Sequence, residues 1–270
     1  MGIKGWTGGM IFMLAFGAGL SFAAEEEKVA VNANLGVFNQ YVFRGYQIGK
    51  DSLVFQPSLG ISYKGFSLCF WGNIDSDEHA TQSFIPDRPG QKSFNETDLT
   101  LSYTHNFGKL GITGGYIYYG TKYMAETEEF YVSVTYDTYG SPTLTLYRDI
   151  TSYPGTYLNL SLAQSWKVYK EITLDLGASF GYFVGDGNYW KTYEASTGGY
   201  TGGKYQAFHD GMIKAGLTIP WGKNLVIQPG IQYWFPLSGD AGKKVDGSSY
   251  NPNGYLSEVY VAGIQLKLSY

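Results

Sequence analysis

The stretch Leu53-Val54-Phe55-Gln56-Pro57-Ser58-Leu59-Gly60-Ile61-Ser62-Tyr63, followed by Lys64-Gly65 and then Phe66-Ser67-Leu68-Cys69-Phe70-Trp71-Gly72-Asn73-Ile74-Asp75, decides the fold. Leu53, Phe55, Pro57, Leu59, Ile61 and Tyr63 share one parity, while Val54, Gln56, Ser58, Gly60 and Ser62 share the other. Side chains of a strand alternate between two faces, so this segment is a strand with an apolar face and a small, mostly polar one. Lys64-Gly65 makes a tight turn. The return strand sets Phe66, Leu68 and Phe70 against Ser67, Cys69, Trp71 and Asn73.

The alternation runs on through the chain. Leu99, Leu101, Tyr103 and Phe107 oppose Glu96, Asp98, Thr100, Ser102 and Thr104, and Gly108-Lys109 turns that strand into Leu110–Tyr119. Phe130, Val132, Val134 and Tyr136 oppose Glu129, Tyr131, Ser133 and Thr135. Similar runs cover Thr143–Tyr147, Leu158–Trp166, Ile172–Gly181, Ile213–Ile219, Leu225–Phe235 and Tyr260–Tyr270. With Val29–Arg44 as the first, about twelve strands are expected, most of them with the roughly 9–11 residues that cross a bilayer at a tilt. Composition agrees: 25 Tyr and 37 Gly among 270 residues suit strands and turns better than helices. The mean hydropathy of −0.17 is compatible with a membrane barrel, whose strands carry one polar residue for each apolar one.

A soluble β-sandwich also alternates, so the connections decide. Short ones fall at Lys64-Gly65, Gly108-Lys109, Asp137–Pro142, Tyr169–Glu171 and Pro220–Asn224. Long ones alternate with them, at Gly45–Ser52, Ser76–Phe94, Gly120–Glu128, Ile150–Gly155, Gly185–Ala207 and Pro236–Ser257. Short turns on one rim and long loops on the other belong to an outer-membrane barrel. Apolar-face aromatics gather at strand ends: Tyr63, Phe66, Phe107, Tyr136, Trp166 and Tyr270 near the short turns, and Phe55, Phe70, Tyr118, Phe130, Phe180, Tyr233 and Tyr260 toward the long loops. Those are two interfacial girdles about a hydrocarbon band. The expected fold is all-β, a transmembrane antiparallel up-and-down barrel. Pro57 and Pro229 lie inside strands, where a closed barrel has no free edge for a missing N–H; a bulge or a shifted strand boundary is expected at each.

Before Glu25 the only charge is Lys4, and an apolar run from Gly8 to Phe22 ends at Ser21-Phe22-Ala23. This pattern reads as a signal peptide over residues 1–23, cut after Ala23, with the barrel over 24–270. Without Lys4, 18 basic residues face 23 acidic ones, a net charge near −5, which argues against nucleic acid as a partner. Cys69 is the single cysteine, expected as a buried free thiol, and no metal-ligand or cofactor pattern stands out.

Several segments resemble the TorF-type putative porin family. They are Ala33-Asn34-Leu35-Gly36, Tyr41-Val42-Phe43-Arg44-Gly45, Gly65-Phe66 with Trp71-Gly72-Asn73-Ile74-Asp75, Gly115-Tyr116-Ile117-Tyr118-Tyr119 and Glu129-Phe130-Tyr131-Val132. The Tyr-Val-Phe-Arg-Gly block is the most specific, and the likeness covers the first half of the chain. It implies a porin-like outer-membrane protein. Tyr270, ending an alternating strand, is similar to the terminal signal by which such barrels are assembled, so outer-membrane lipid, lipopolysaccharide and the barrel-assembly machinery are the partners the class implies.

If the apolar face meets lipid, the other face lines a lumen. Arg44, Lys214 and Lys267 then point inward with Asp75, Glu96, Asp98, Glu129, Asp175 and Asp210. Gly, Ser and Thr fill many remaining inward positions and leave room for water, and the acidic excess predicts a weak cation preference. The expected function is passive diffusion of small hydrophilic solutes or ions, with no enzymatic activity. The competing arrangement is a lumen closed by internal salt bridges. A ligand-specific channel is the alternative, with Tyr189, Trp190, Tyr193, Tyr200 and Tyr205 of the long connection holding a flat nucleoside or sugar. A barrel-rim hydrolase is weaker still. Only His79, His105 and His209 exist; His105 falls on the lipid face, His209 and Asp210 have opposite parity, and Asp75–His79 reads as a solvated acidic loop.

Overall fold

Each alternating segment finds its partner in the next one, and the last pairs with the first. The computed structural model describes residues 28–79, 82, 85–194, 196–243 and 251–270; the signal segment expected over 1–23 lies outside the described residues. In chain order the strands are β1 (Ala30–Phe38), β2 (Tyr41–Phe43), β3 (Tyr46–Gly49), β4 (Val54–Tyr63), β5 (Phe66–Asp75), β6 (Ser93–Phe107), β7 (Leu110–Thr121) and β8 (Thr127–Tyr136). There follow β9 (Thr143–Asp149), β10 (Gly155–Tyr169), β11 (Ile172–Gly185), β12 (Lys191–Tyr193), β13 (Tyr200–Lys204), β14 (Gln206–Trp221), β15 (Leu225–Pro236) and β16 (Val259–Ser269). Among the described residues twelve of them close an antiparallel up-and-down barrel, β1 pairing with β4 on one side and with β16 on the other. Two hairpins, β2–β3 and β12–β13, stand apart from it.

The outer surface is the apolar face read from the sequence. Leu59 is 55% exposed, Val132 51% and Ile231 61%, whereas their neighbours Ser58, Ser133 and Gln232 are buried. A continuous apolar belt of this kind is what hydrocarbon covers. The aromatics at its two edges point outward too, with Phe66, Phe107, Tyr136 and Tyr270 exposed at the short-turn rim and Phe130, Phe180 and Tyr260 at the other.

Both prolines are accommodated without a bulge. The β4–β5 ladder is interrupted between Phe55↔Ile74 and Ser58↔Trp71, and the β14–β15 ladder between Gly216↔Gly230 and Ile219↔Ile227. Neither interruption changes the register. Inside the barrel a side-chain bond spans each gap: Gln56 Nε2 donates to Asn73 Oδ1 at 3.0 Å, and Gln228 Nε2 to Thr218 Oγ1 at 2.7 Å. The missing N–H is thus absorbed on one side of the strand only.

Two expectations are corrected. The first strand ends at Phe38 rather than running to Arg44, because the chain turns inward after it. His209 and Asp210 do not face opposite ways. Phe180 pairs with Gly211 and Tyr182 with Phe208, so two residues oppose Gly181 in a β-bulge, and both are fully buried inside the barrel.

Candidate functional site

The inward turn builds the site. Tyr41–Phe43 and Tyr46–Gly49 form a hairpin whose tip, Arg44-Gly45, has φ of 47° and 79°. Positive φ at both central residues is the geometry of the tightest hairpin turn, easy for Gly45 and strained for Arg44 by about 1–2 kcal/mol. The hairpin cannot stand in water alone, since Tyr41 and Val42 are apolar on both sides. They pack with Phe38, Val54, Trp71, Met212, Trp234, Val259 and Val261, so a hydrophobic cluster forms inside the barrel from its own inner wall.

The tip then reaches across the lumen. Arg44 Nη1 donates to Glu129 Oε1 at 2.8 Å and Nη2 to Oε2 at 2.7 Å, a two-pronged ion pair with side chains only 12% and 6% exposed. The guanidinium also lies 4.8, 4.7 and 4.6 Å from the ring centroids of Phe43, Tyr147 and Tyr157. Tyr119 donates its hydroxyl to Glu129 Oε2 at 2.8 Å. Gly45 lies so close to Leu256 and Asp210 that a Cβ there would fall 2.5 and 2.8 Å from them. One hairpin therefore touches β8, β9, β10, β14 and the last long loop.

Asp210 is held on the far wall. Tyr157 donates its hydroxyl to both carboxylate oxygens, at 2.9 and 3.2 Å, and Asn159 donates to that hydroxyl at 3.2 Å. Gly181 leaves the space, because a Cβ there would sit 2.2 Å from Asp210 Oδ1. His209 shares a 2.6 Å hydrogen bond with Tyr205 and lies 5.0 Å, ring to ring, from Tyr46.

The nine charged residues singled out from sequence all project into the interior, but in two groups. On the long-loop side lie Arg44, Glu129, Asp210, Glu96, Asp98 and Asp75. Glu96 is within reach of the Tyr41 hydroxyl, Asp98 is buried with Oδ1 unpartnered, and Asp75 Oδ2 sits against Gly49 at the hairpin base. On the short-turn side lie Asp175, Lys214 and Lys267. Thr218, Ser165 and Thr173 donate hydroxyls to Asp175 at 2.6, 2.5 and 3.0 Å, and Lys214 extends over Gly177. Sequence reading missed Asp149, buried at the end of β9 with Thr127 and the backbone of Thr151 and Tyr153 as donors; its parity with Thr145 and Tyr147 was the available signal.

The lining is divided in the same way. Below the hairpin many inward positions are small, among them Gly60, Ser102, Gly111, Thr113, Ser133, Thr135, Thr145, Gly177, Gly216 and Gly230, and between them stand Asp175, Lys214, Lys267, Gln228 and Gln265. Above it, aromatic packing replaces the expected Gly, Ser and Thr. Tyr157, Phe183, Trp190, Tyr205 and Ala207 cluster together, as do Ile117, Tyr119 and Tyr131. Of the five loop aromatics expected to meet a ligand, Trp190 and Tyr205 are buried in this packing, Tyr189 leans on Tyr153, and Tyr193 pairs with Tyr200 across β12–β13.

Between hairpin and long loops is a cavity of about 140 Å³. Its floor is Tyr41, Phe43, Arg44 and Tyr46, and its walls include Glu96, Tyr119, Tyr123, Glu129, Tyr153 and Trp190. In the loop beside it Glu78 is buried. Burial pushes its carboxyl up, but hydrogen bonds from Tyr123 and Ser93 and the charge of Lys122, 3.6 Å away, outweigh that and hold it below the ordinary carboxylate value.

No family model and no curated protein sequence matches the chain. Solved structures do. The NanC porin superposes with a TM-score of 0.50 at 10% identity, over 89% of this chain and 99% of that one. An outer membrane channel from Pseudomonas putida F1 gives a TM-score of 0.48 at 8% identity, over 90% and 94%. At such identity the first likeness establishes a shared barrel fold.

Proposed function

We propose that the chain is an outer-membrane channel for passive diffusion of small hydrophilic solutes or ions, with the Tyr41–Gly49 hairpin as its constriction. The observation that carries this reading is the division of the interior. Hydroxyl and glycine residues, with Asp175, Lys214 and Lys267 among them, line the short-turn half, and the hairpin fills the lumen above them. Asn34 Oδ1 and Ser58 Oγ, both inward and buried, have no protein partner among the described residues, which suits an ordered water at each. The short-turn rim is periplasmic in this reading and the long loops external, in contact with lipopolysaccharide, after export on the 1–23 segment and insertion by the barrel-assembly machinery.

A weak cation preference follows from the charges. Asp75, Glu96, Asp98, Glu129, Asp149, Asp175 and Asp210 face inward against Arg44, Lys214 and Lys267, and Arg44 is spent on Glu129. The resemblance to TorF-type porins supports the reading, and its most specific block, Tyr41–Gly45, is the hairpin's first strand and turn. Refolded protein in a planar bilayer is the test. Stepwise currents, with a reversal potential on the cation side in a KCl gradient, are expected; a tight seal at all voltages overturns the channel, and anion selectivity overturns the preference. A ligand-binding channel is the second reading, favoured by the aromatic cavity above the constriction.

A further inference from the structure

Arg44 shows what the interior recognises. Its cation is held by one carboxylate, Glu129, and by the faces of three rings, Phe43, Tyr147 and Tyr157. Beside it carboxylates and aromatic rings again face one space. Glu96 lines the cavity beside Tyr41 and together with Tyr119 and Tyr153, whereas Tyr123 on the same wall already has Arg88 and Lys122 at 5.4 and 5.0 Å from its ring. Asp98 stands two residues along the same face, 5% exposed, with Oδ1 unpartnered and within electrostatic range of Tyr41, Glu96, Tyr119 and Glu129. Among the described residues no lysine or arginine forms an ion pair with either carboxylate. A carboxylate buried among aromatic rings attracts a cation, and rings favour one with weakly hydrated carbon about its charge.

We propose that this cavity binds a small organic cation, an alkylammonium or quaternary ammonium group, with Glu96 as its charge partner and Tyr41, Tyr119 and Tyr153 as its walls. Size agrees: an enclosed space of about 150 Å³ takes a guest of about six heavy atoms, and the cavity here is about 140 Å³. Anions are disfavoured because both prongs of Arg44 are committed to Glu129 and its faces to rings. The proposal deepens the channel reading by naming a solute class for the space above the constriction, and its test does not require conduction.

The experiment is an equilibrium titration of the full chain, folded in detergent micelles, with choline, followed by calorimetry and by tryptophan fluorescence, since Trp190 lines the cavity. Saturable binding is expected, with the neutral isostere 3,3-dimethylbutanol weaker by about tenfold or more and benzoate not binding. Glu96→Gln should weaken choline by about tenfold and leave the isostere unchanged. Asp98→Asn, which acts from behind the wall, should weaken it less. Folding of each variant is verified by its heat-dependent mobility shift in SDS gels; the comparison of choline with its isostere needs no variant at all. Equal affinity for both compounds, or no saturation of the unaltered protein up to about 10 mM choline, overturns the proposal, as does equally tight binding of Na⁺ or K⁺. Conductance without choline binding would remove this inference alone, and choline binding by a barrel that does not conduct would remove the channel reading alone.

Discussion

Replacing Arg44 by alanine tests how the hairpin is held. The substitution removes both hydrogen bonds to Glu129 and three ring contacts, and leaves Glu129 buried with Tyr119 as its donor. Breaking a buried ion pair from one side costs about 3–5 kcal/mol, most of it the penalty of the charge left behind. With side chains 12% and 6% exposed, this pair is near the buried limit, so little of that figure is lost to solvent screening. The apolar docking of Tyr41 and Val42 remains, and the hairpin should therefore loosen while the barrel stays closed. Adding Glu129→Gln removes the stranded charge, and part of the loss should return, giving a coupling of about 1.5–3 kcal/mol in the double-mutant cycle. Trp71, whose ring lies 5.8 Å from that of Tyr41, and Trp234 report docking by fluorescence during urea titration. In a bilayer the single variant should give larger and noisier current steps. If the two substitutions add within about 0.5 kcal/mol and the current is unchanged, the ion pair does not hold the constriction.

Gly181→Ala should cost about 1–3 kcal/mol in urea unfolding, because the new Cβ meets both the fully buried Asp210 carboxylate and the buried Tyr157 ring that hydrogen-bonds it; an unchanged midpoint would count against the bulge geometry. Lys214→Gln together with Lys267→Gln removes the two inward lysines near Asp175, and the reversal potential in a KCl gradient should shift toward stronger cation selectivity, whereas a shift the other way would contradict the lumen assignment. Glu78 is held below the ordinary carboxylate value, so its contribution to the Ser76–Lys92 loop is present at neutral pH and lost as pH falls through that lowered value. Limited proteolysis of this loop by an acid-active protease should accordingly accelerate in strongly acidic buffer for the unaltered protein and already be fast at mildly acidic pH for Glu78→Gln; equal rates for the two would refute the role.

The sequence by itself determined the barrel wall. Period-two alternation is a local property, and hydrocarbon outside a closed sheet rewards it at every strand, so Leu59, Val132 and Ile231 were legible as lipid-facing and Ser58, Ser133 and Gln232 as lumen-facing without knowledge of their neighbours. The alternation of long and short connections fixed which rim was which. Only the tertiary structure decided what fills the upper lumen. Tyr41 and Val42 carry no strand-like division into apolar and polar faces, and their partners include Met212, Trp234, Val259 and Val261, far along the chain. Whether such a segment lengthens a strand or folds inward depends on the wall it meets after closure. The same holds for Arg44 and Glu129, which are 85 residues apart, and for the bulge that turns His209 and Asp210 to one side. Charge type was readable at each position; charge pairing, which separates a committed Arg44 from an uncommitted Glu96, depends on distances that exist only once the barrel has closed.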